Sequence, residues 1–245
     1  MDKIMFLAAK YDIHVVEDAC QAVLATWHNI CCGNFGIAGA ISLHPLKNLN
    51  VWGDGGMIIT NDDFMNKQIR LMRNHGLLNR DEIEIFGVNS RLDSVQAAVG
   101  NHQIQFTRES VEQRRKNASY LDKNLKGHVS IIERKPEAIS CFHLYMFEVH
   151  EAIRNRLVSF LTENGIEAKV HYPIPLYKQK PFKALGYKDG DFPMADRQSA
   201  RIVTLPVDEH LSEGQLDYMI LKIKEFMQKN NFGPDIDHDA AIVFS

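Results

Sequence analysis

The sequence has no long apolar run, little cysteine and almost no charge imbalance, and each shortage removes a class of protein. No stretch approaches the roughly eighteen apolar residues that mark a membrane-crossing helix. Met1-Asp2-Lys3 opens an amphipathic segment rather than a signal peptide, so a cytoplasmic location is expected. A formal charge of -3 with a pI near 6.4 supplies no electrostatic reason to bind nucleic acid or an anionic membrane. Four cysteines in 245 residues do not make a disulfide framework. Cys20, Cys31 and Cys32 lie near His14 and His28, but adjacent Cys31-Cys32 lacks the two-residue gap that lets both thiolates face one ion. No metal site is therefore expected, and small buried thiols are the simpler reading, with Cys141 in a core. Gly53-Asp54-Gly55-Gly56 is not followed by Gly-Lys-Ser/Thr, which argues against nucleotide hydrolysis.

What is present suggests an α/β protein of two domains. At 45% apolar and 24% charged side chains, 245 residues can bury a sizeable core and are long for one compact domain. Ile4, Met5 and Ala8 fall at helical spacing and predict a helix over 2–10. It feeds a β-branched run, Ile13 to Val16, whose continuous apolar character predicts a strand covered on both faces. Asp18 then sits at the strand's carboxyl end, the edge where open α/β sheets bind ligands. Gly39 to Ser42 and Met57 to Thr60 repeat the pattern more weakly, so three strand ends are expected at one crevice. Lys47 lies five residues beyond Ser42. A lysine whose pKa is pulled down can form a Schiff base. A pyridoxal cofactor needs such a lysine, a carboxylate to keep its pyridine nitrogen protonated, and donors for its phosphate. Asp18, Ser42 and Lys47 fill those roles in chain order.

Further along, Asn61-Asp62-Asp63 can cap a helix bearing Met65, Ile69 and Met72 and ending at Gly76. Residues 77–92 read as loop. Asp93 can cap a long helix reaching about Leu125, with Val95, Val99 and Phe106 on one stripe and the basic cluster Arg114-Arg115-Lys116 as a solvated face. Val129 to Ile132 and His143 to Val149 read as strands, Leu157 and Leu161 mark a helix stopped by Gly165, and Ile166 to Val170 reads as a returning strand. This order predicts a small α+β domain. Leu205-Pro206 is expected to end the next helix, and Ser212 with Gln215 to form a capping box on the last, whose buried stripe is Leu216, Met219, Ile220 and Ile223. Beyond Lys229 a polar tail is expected, in which Asp235, Asp237, His238 and Asp239 are read as solvated rather than as ligands.

Several ordered motifs resemble one family. Glu17-Asp18-Ala19-Cys20-Gln21, Gly33 with Gly36, Ser42-Leu43-His44-Pro45-Leu46-Lys47-Asn48-Leu49 and Gly55-Gly56 are similar to the pattern of the DegT/DnrJ/EryC1/StrS sugar aminotransferases. The likeness continues through His75-Gly76, Asn89-Ser90-Arg91, Gln96-Ala97-Ala98 and His171-Tyr172-Pro173, over about residues 1–229. It implies a pyridoxal 5'-phosphate enzyme of fold type I, with a partial large domain built on a mostly parallel sheet (1–108), a small α+β domain with a bridging helix (109–229) and a flexible tail (230–245). It also implies an amino group passed from an amino acid, glutamate being the expected donor, to a keto group of a nucleotide-linked sugar.

Residue by residue, the resemblance makes Lys47 the aldimine-forming lysine and proton shuttle, and Asp18 the partner of the pyridinium nitrogen. Gln21 would lie against the ring, Ser42 would donate to the phosphate, and Asn89 would reach the phosphate in a neighbouring subunit of a homodimer. His171 and Tyr172 would line the sugar site. Lys47 also separates the chain from the dehydratase branch, in which histidine stands at that position. Family members carry well over a hundred residues ahead of the aspartate, so the chain reads as the carboxyl-terminal two thirds of such an enzyme, with poor solubility expected from an uncovered sheet edge. The alternative is a catalytically incompetent fragment or a regulatory, dimerising paralogue.

Overall fold

The structure is a computed structural model that describes residues 1–232, so the expected tail and its Asp235, Asp237, His238 and Asp239 lie outside the described residues. In chain order the elements are α1 (Asp2–Tyr11), β1 (Val16–Asp18), β2 (Thr26–Trp27), β3 (Ile30–Cys31), β4 (Ala38–Ser42), β5 (Gly56–Ile59), α2 (Asp63–Met72), α3 (Ser94–Leu125), β6 (Ser130–Ile131), β7 (Ala138–Ile139), β8 (Tyr145–Glu148), α4 (Glu151–Glu163), α5 (Pro193–Arg201), β9 (Ile202–Leu205) and α6 (Glu213–Lys229). Short 3-10 turns occupy Leu176–Lys178 and Lys180–Leu185. The chain divides into two compact units. The first comprises Met1–Arg115 and Arg134–His143, the second Lys116–Glu133 and the residues from Leu144 onward. The division thus falls within α3, beyond the expected boundary at 108, and a short stretch returns to the first unit.

In the first unit the sheet order is β1-β4-β5, with β1 parallel and β5 antiparallel to β4. Met57 to Ile59 therefore brings its beginning, not its end, to the edge where β1 and β4 finish, which corrects the expectation of three converging strand ends. The first strand also starts later than its apolar run suggests. Ile13 lies outside it and Val16 is exposed, so the face bearing Val16 is not covered as expected. α1 ends at Asp12, which adopts a left-handed conformation (φ 52°) that aspartate tolerates better than most residues. Glycines let the strands close up: a Cβ on Gly36 would lie 2.1 Å from the carbonyl oxygen of Val15. The core beneath the sheet is Ala19, Ile41, Leu43, Leu49 and Val51, with Leu92 and Val23 against it.

The side chain of Asp62 accepts the N–H of Met65 at 2.7 Å and caps α2 as expected. Arg115 departs from the expected solvated face. Its Nε donates to the carbonyl of Ser140 at 2.8 Å and its Nη2 to that of Leu24 at 2.7 Å. Arg114 likewise donates to the carbonyl of Phe142. These two guanidinium groups satisfy loop carbonyls of the first unit, and Lys116 alone in the cluster is exposed.

The second unit holds an antiparallel sheet of order β6-β8-β9. Along β8, Tyr145 and Phe147 are buried while Met146 and Glu148 are less so, the alternation expected of a strand with one packed face. α4 and α6 contribute Leu157, Leu161, Leu216, Met219, Ile220 and Ile223 to the core, and Ser212 with Gln215 forms the capping box. Two strand assignments change. Ile166 to Val170 is not a strand but makes a single bridge, Lys169 with Thr204. Residues up to Leu205 do not end a helix; Ile202–Leu205 is a strand, β9, recruited by pairing with β8.

Candidate active site

The carboxyl ends of β1 and β4 carry the predicted acid and hydroxyl. Asp18 lies opposite Ala40 in register, and Ser42 follows two residues on. Because side chains alternate along strands, Asp18, Ala40 and Ser42 share one face, together with Ile58 from β5, whereas Glu17, Gly39, Ile41 and Ile59 share the other. Asp18 is exposed on the first face.

Glu17, which entered the sequence reasoning only as the first residue of the Glu17-to-Gln21 motif, anchors the second face. Its Oε2 accepts the N–H of Gly33 at 2.7 Å, and its Oε1 accepts those of Phe35 at 2.6 Å and Gly36 at 2.9 Å. Both carboxylate oxygens are thus engaged by the glycine-containing loop that leads into β4. The signal in the sequence was a carboxylate shortly before Gly33-Asn34-Phe35-Gly36, a stretch rich in accessible backbone donors.

Lys47 stands on the connection from β4 to β5. The feet of that connection are fixed by Leu43 and Val51: the N–H of Leu43 donates to Gly55 and that of Val51 to Leu43. Ser42 Oγ accepts the N–H of His44 at 3.3 Å, and the N–H of Lys47 donates to the carbonyl of His44 at 2.9 Å. These turns bring the lysine back toward the residues after β1. Lys47, Cys20, Gln21, Val23, Asn48 and His143 line one small hollow. Asn48 braces it by donating to the carbonyl of Cys141 at 3.0 Å. The thiol of Cys141 in turn donates to the carbonyl of Gln21 at 3.0 Å, pinning that backbone while the Gln21 side chain stays exposed.

Cys20 ties the parts together. Its N–H donates to Asp18 Oδ1 at 3.1 Å, and its sulfur lies 3.7 Å from the carbonyl oxygen of Ala40. The Asp18 carboxyl is held below the usual carboxylate range, first by the Cys20 thiol, then by the Cys20 N–H, with the positive charge of Lys47 adding to both. The same contact read from the thiol is consistent: Asp18 pushes Cys20 upward, and Lys47 and the Ser42 backbone partly oppose it. Asp18 is thus bonded to the Cys20 N–H, and Cys20 shares a hollow with Gln21 and Lys47, while Ser42 lies on the sheet face of Asp18. The carboxylate stays ionised at neutral pH.

Residues 1–224 match the DegT/DnrJ/EryC1/StrS aminotransferase family. The chain belongs to that family. A pleiotropic regulatory protein of Geobacillus stearothermophilus is 37% identical over 92% of this chain and 61% of its own length. A dTDP-3-amino-3,4,6-trideoxy-alpha-D-glucose transaminase of Streptomyces venezuelae is 31% identical over 94% of this chain and 60% of its own. Among solved structures, a DegT DnrJ EryC1 StrS aminotransferase from Brucella abortus superposes with a TM-score of 0.87 at 30% identity, covering 92% of this chain and 60% of that one. The DegT/DnrJ/EryC1/StrS chain described here thus spans about three fifths of the length of these relatives. Its fold is part of fold type I of the pyridoxal phosphate-dependent transferases.

The remaining predicted residues stand on other segments of the chain. Asn89 is exposed on the loop after α2, bridged to Asn74, and its Oδ1 accepts Arg91 Nε at 3.0 Å. His171 and Tyr172 belong to the second unit, where His171 Nδ1 is 3.0 Å from Thr204 Oγ1 and Tyr172 is exposed. Burial, and then the charge of Lys169, holds the His171 imidazole below its ordinary pKa. Both line a cleft of about 850 Å³ whose other walls include Tyr177, Phe182, Tyr187 and Phe192. Among the described residues no cluster of His, Cys, Asp and Glu could hold a metal ion, and no helix is long and apolar enough to cross a membrane.

Proposed function

We propose that the protein performs pyridoxal phosphate-dependent amino transfer from an amino acid, with glutamate the expected donor, to a keto carbon of a nucleotide-linked sugar. What supports this reading is that Asp18 and Ser42 share one face of the sheet, and that Cys20, whose N–H donates to Asp18, lines one small hollow with Lys47. That donor set fits the cofactor: an acid to stay anionic, a hydroxyl for the phosphate, and an amine. When bound, pyridoxal phosphate supplies a ring that accepts the negative charge left by removing an α-proton. Asp18 would hold a proton at the ring nitrogen, because its lowered pKa keeps it anionic beside that cation. Ser42 would donate to the phosphate, and Gln21 would lie against the ring. The Lys47 amine would anchor the cofactor and then take and return the migrating proton. His171 and Tyr172 would offer both donors and acceptors to sugar hydroxyls. Asn89 would serve the neighbouring subunit of a cytoplasmic homodimer.

Support for the sugar comes from the Streptomyces venezuelae relative, named for a dTDP-linked amino sugar. The name of the Geobacillus relative favours a second reading, a regulatory protein without turnover. One experiment separates them. The protein is titrated with pyridoxal phosphate, reduced with borohydride and peptide-mapped. Trapping at Lys47, lost in Lys47→Ala and weakened in Asp18→Asn, with glutamate consumed in the presence of a keto-sugar, is the expected result. Trapping with no consumption of any amino acid favours the regulatory reading, and modification spread evenly over surface lysines rejects the site.

A further inference from the structure

The turn that carries Lys47 is held on both sides by side chains. On the near side the N–H of Leu46 donates to His44 Nδ1 at 3.2 Å, beside the bond from the Lys47 N–H to the His44 carbonyl. On the far side Asn48, the next residue, reaches a segment 93 and 95 positions away: its Nδ2 donates to the carbonyl of Cys141, and its Oδ1 lies 3.3 Å from His143 Nδ1. This pair of contacts decides where the imidazole proton sits. With the amide nitrogen turned to a carbonyl, the amide oxygen faces the ring, and that oxygen can only accept. His143 Nδ1 therefore carries the hydrogen and donates it, an assignment made from the bonding pattern. The segment to which Asn48 is tied is itself fastened. Cys141 is 2% exposed with its thiol on the Gln21 carbonyl, and Ser140 accepts the Phe142 N–H on its hydroxyl and Arg115 on its carbonyl. All of these residues belong to the first unit.

A turn that only joined two strands would need no such tether, because Leu43 and Val51 already fix its feet. What the tether adds is a fixed origin for one side chain. Lys47 and His143 line the same small hollow with Cys20 and Gln21. We propose that Asn48 and His143 are positioning residues for Lys47: the Nδ1–H tautomer of His143 orients the Asn48 amide, and the amide fixes the backbone from which Lys47 meets Cys20 across the hollow. The consequence for catalysis rests on the amino-transfer reading; the geometry does not. An amine that must meet one atom loses rate steeply when its backbone drifts, and a displacement of about 1 Å can cost on the order of a hundredfold. Replacing the His143 donor by an apolar group leaves the Asn48 oxygen without that partner and lets the turn relax.

Three variants of the full chain test it. His143→Leu and Asn48→Leu each remove one end of the bond, whereas His143→Asn keeps a donor, since its amide nitrogen can stand where Nδ1 stood. The first readout needs no cofactor. The Lys47 charge favours the Cys20 thiolate, so the pH of half-maximal iodoacetamide labelling at Cys20 reports how near the amine stands. His143→Leu and Asn48→Leu should move that midpoint upward, as Lys47→Met does, while His143→Asn keeps the parent value. In a Lys47→Met background the two Leu variants should add nothing. The second readout is the rate at which pyridoxal phosphate is trapped at Lys47 by borohydride, which should fall by about tenfold in both Leu variants and stay near the parent rate in His143→Asn. If one Leu variant fails to fold, the other gives the same reading from the opposite end of the bond. An unmoved Cys20 midpoint or an unchanged trapping rate in a folded Leu variant overturns the proposal. So does a shift that survives in the Lys47→Met background, or a His143→Asn variant that behaves like His143→Leu. Absence of trapping at Lys47 in the parent overturns the amino-transfer reading instead, and the Cys20 midpoints then decide the positioning alone.

Discussion

The two units of this molecule differ in how well each closes on itself. The second has a core that needs nothing added: Tyr145, Phe147, Leu157, Leu161, Val203 and Ile223 are fully buried between one sheet and two helices. The first unit buries a smaller cluster under a three-stranded sheet and leaves α1 wholly unburied. Yet the first unit carries Asp18, Ser42 and Lys47. The proposed chemistry therefore sits where apolar packing is thinnest, and the geometry there depends on polar ties: the Glu17 carboxylate on three N–H groups, Arg115 on two carbonyls, and Asn48 on Cys141. The difference teaches that polar substitutions should damage the first unit and cavity-forming ones the second.

The sharpest way to break that comparison is Phe147→Ala. Phe147 is completely buried in the middle of β8, and truncating such a side chain costs roughly 3–5 kcal/mol. Unfolding should be seen as lost exchange protection in β8, β9 and α4, with the loop at 33–36 unaffected. A smaller effect in the second unit than in the first would contradict the contrast. Next comes Glu17→Gln. An amide keeps one acceptor but turns an NH2 toward backbone donors, so at least one N–H of Gly33, Phe35 or Gly36 loses its partner. A cost of about 2–3 kcal/mol follows, local to the first unit. Faster exchange of the Gly33, Phe35 and Gly36 amides checks it, and unchanged exchange there would mean that the glycines alone hold the loop.

These contrasts also explain what the sequence disclosed. Asp18 was legible because a strand's carboxyl end is marked locally, by charge following an apolar run. Ser42 was legible as the end of β4, and the capping residues Asp62 and Ser212 from the side-chain chemistry of helix starts. Strand β9 was not, because Ile202–Leu205 lies between the helix from Pro193 and Pro206, and only its pairing with β8, more than fifty residues earlier in the chain, makes it a strand. Ile166 to Val170 failed in the opposite sense: it has strand composition but finds a partner at Lys169 alone. Arg115 was misread for a related reason. Whether an arginine is solvated depends on which carbonyls lie within reach, and Leu24 is far from it in sequence. Val16 was expected to be buried because apolar runs report a need for cover, not its presence.

The smallest effect tests whether the polar ties of the first unit converge on Asp18. The Asp18 carboxylate raises the Cys20 pKa, chiefly through a hydrogen bond to the thiol and also through charge. Removing the negative charge in Asp18→Asn should therefore lower it, since the thiolate then forms without facing an anion. The rate of iodoacetamide labelling at Cys20, followed across pH by peptide mass spectrometry, should reach half its maximum at a lower pH in the variant than in the parent. Lys47→Met should move the midpoint the other way, because the lysine charge favours the thiolate. Opposite shifts from residues so distant in sequence require both to lie beside one sulfur. If neither midpoint moves, the acid and the amine do not share a site, and the cofactor assignment loses its geometric support.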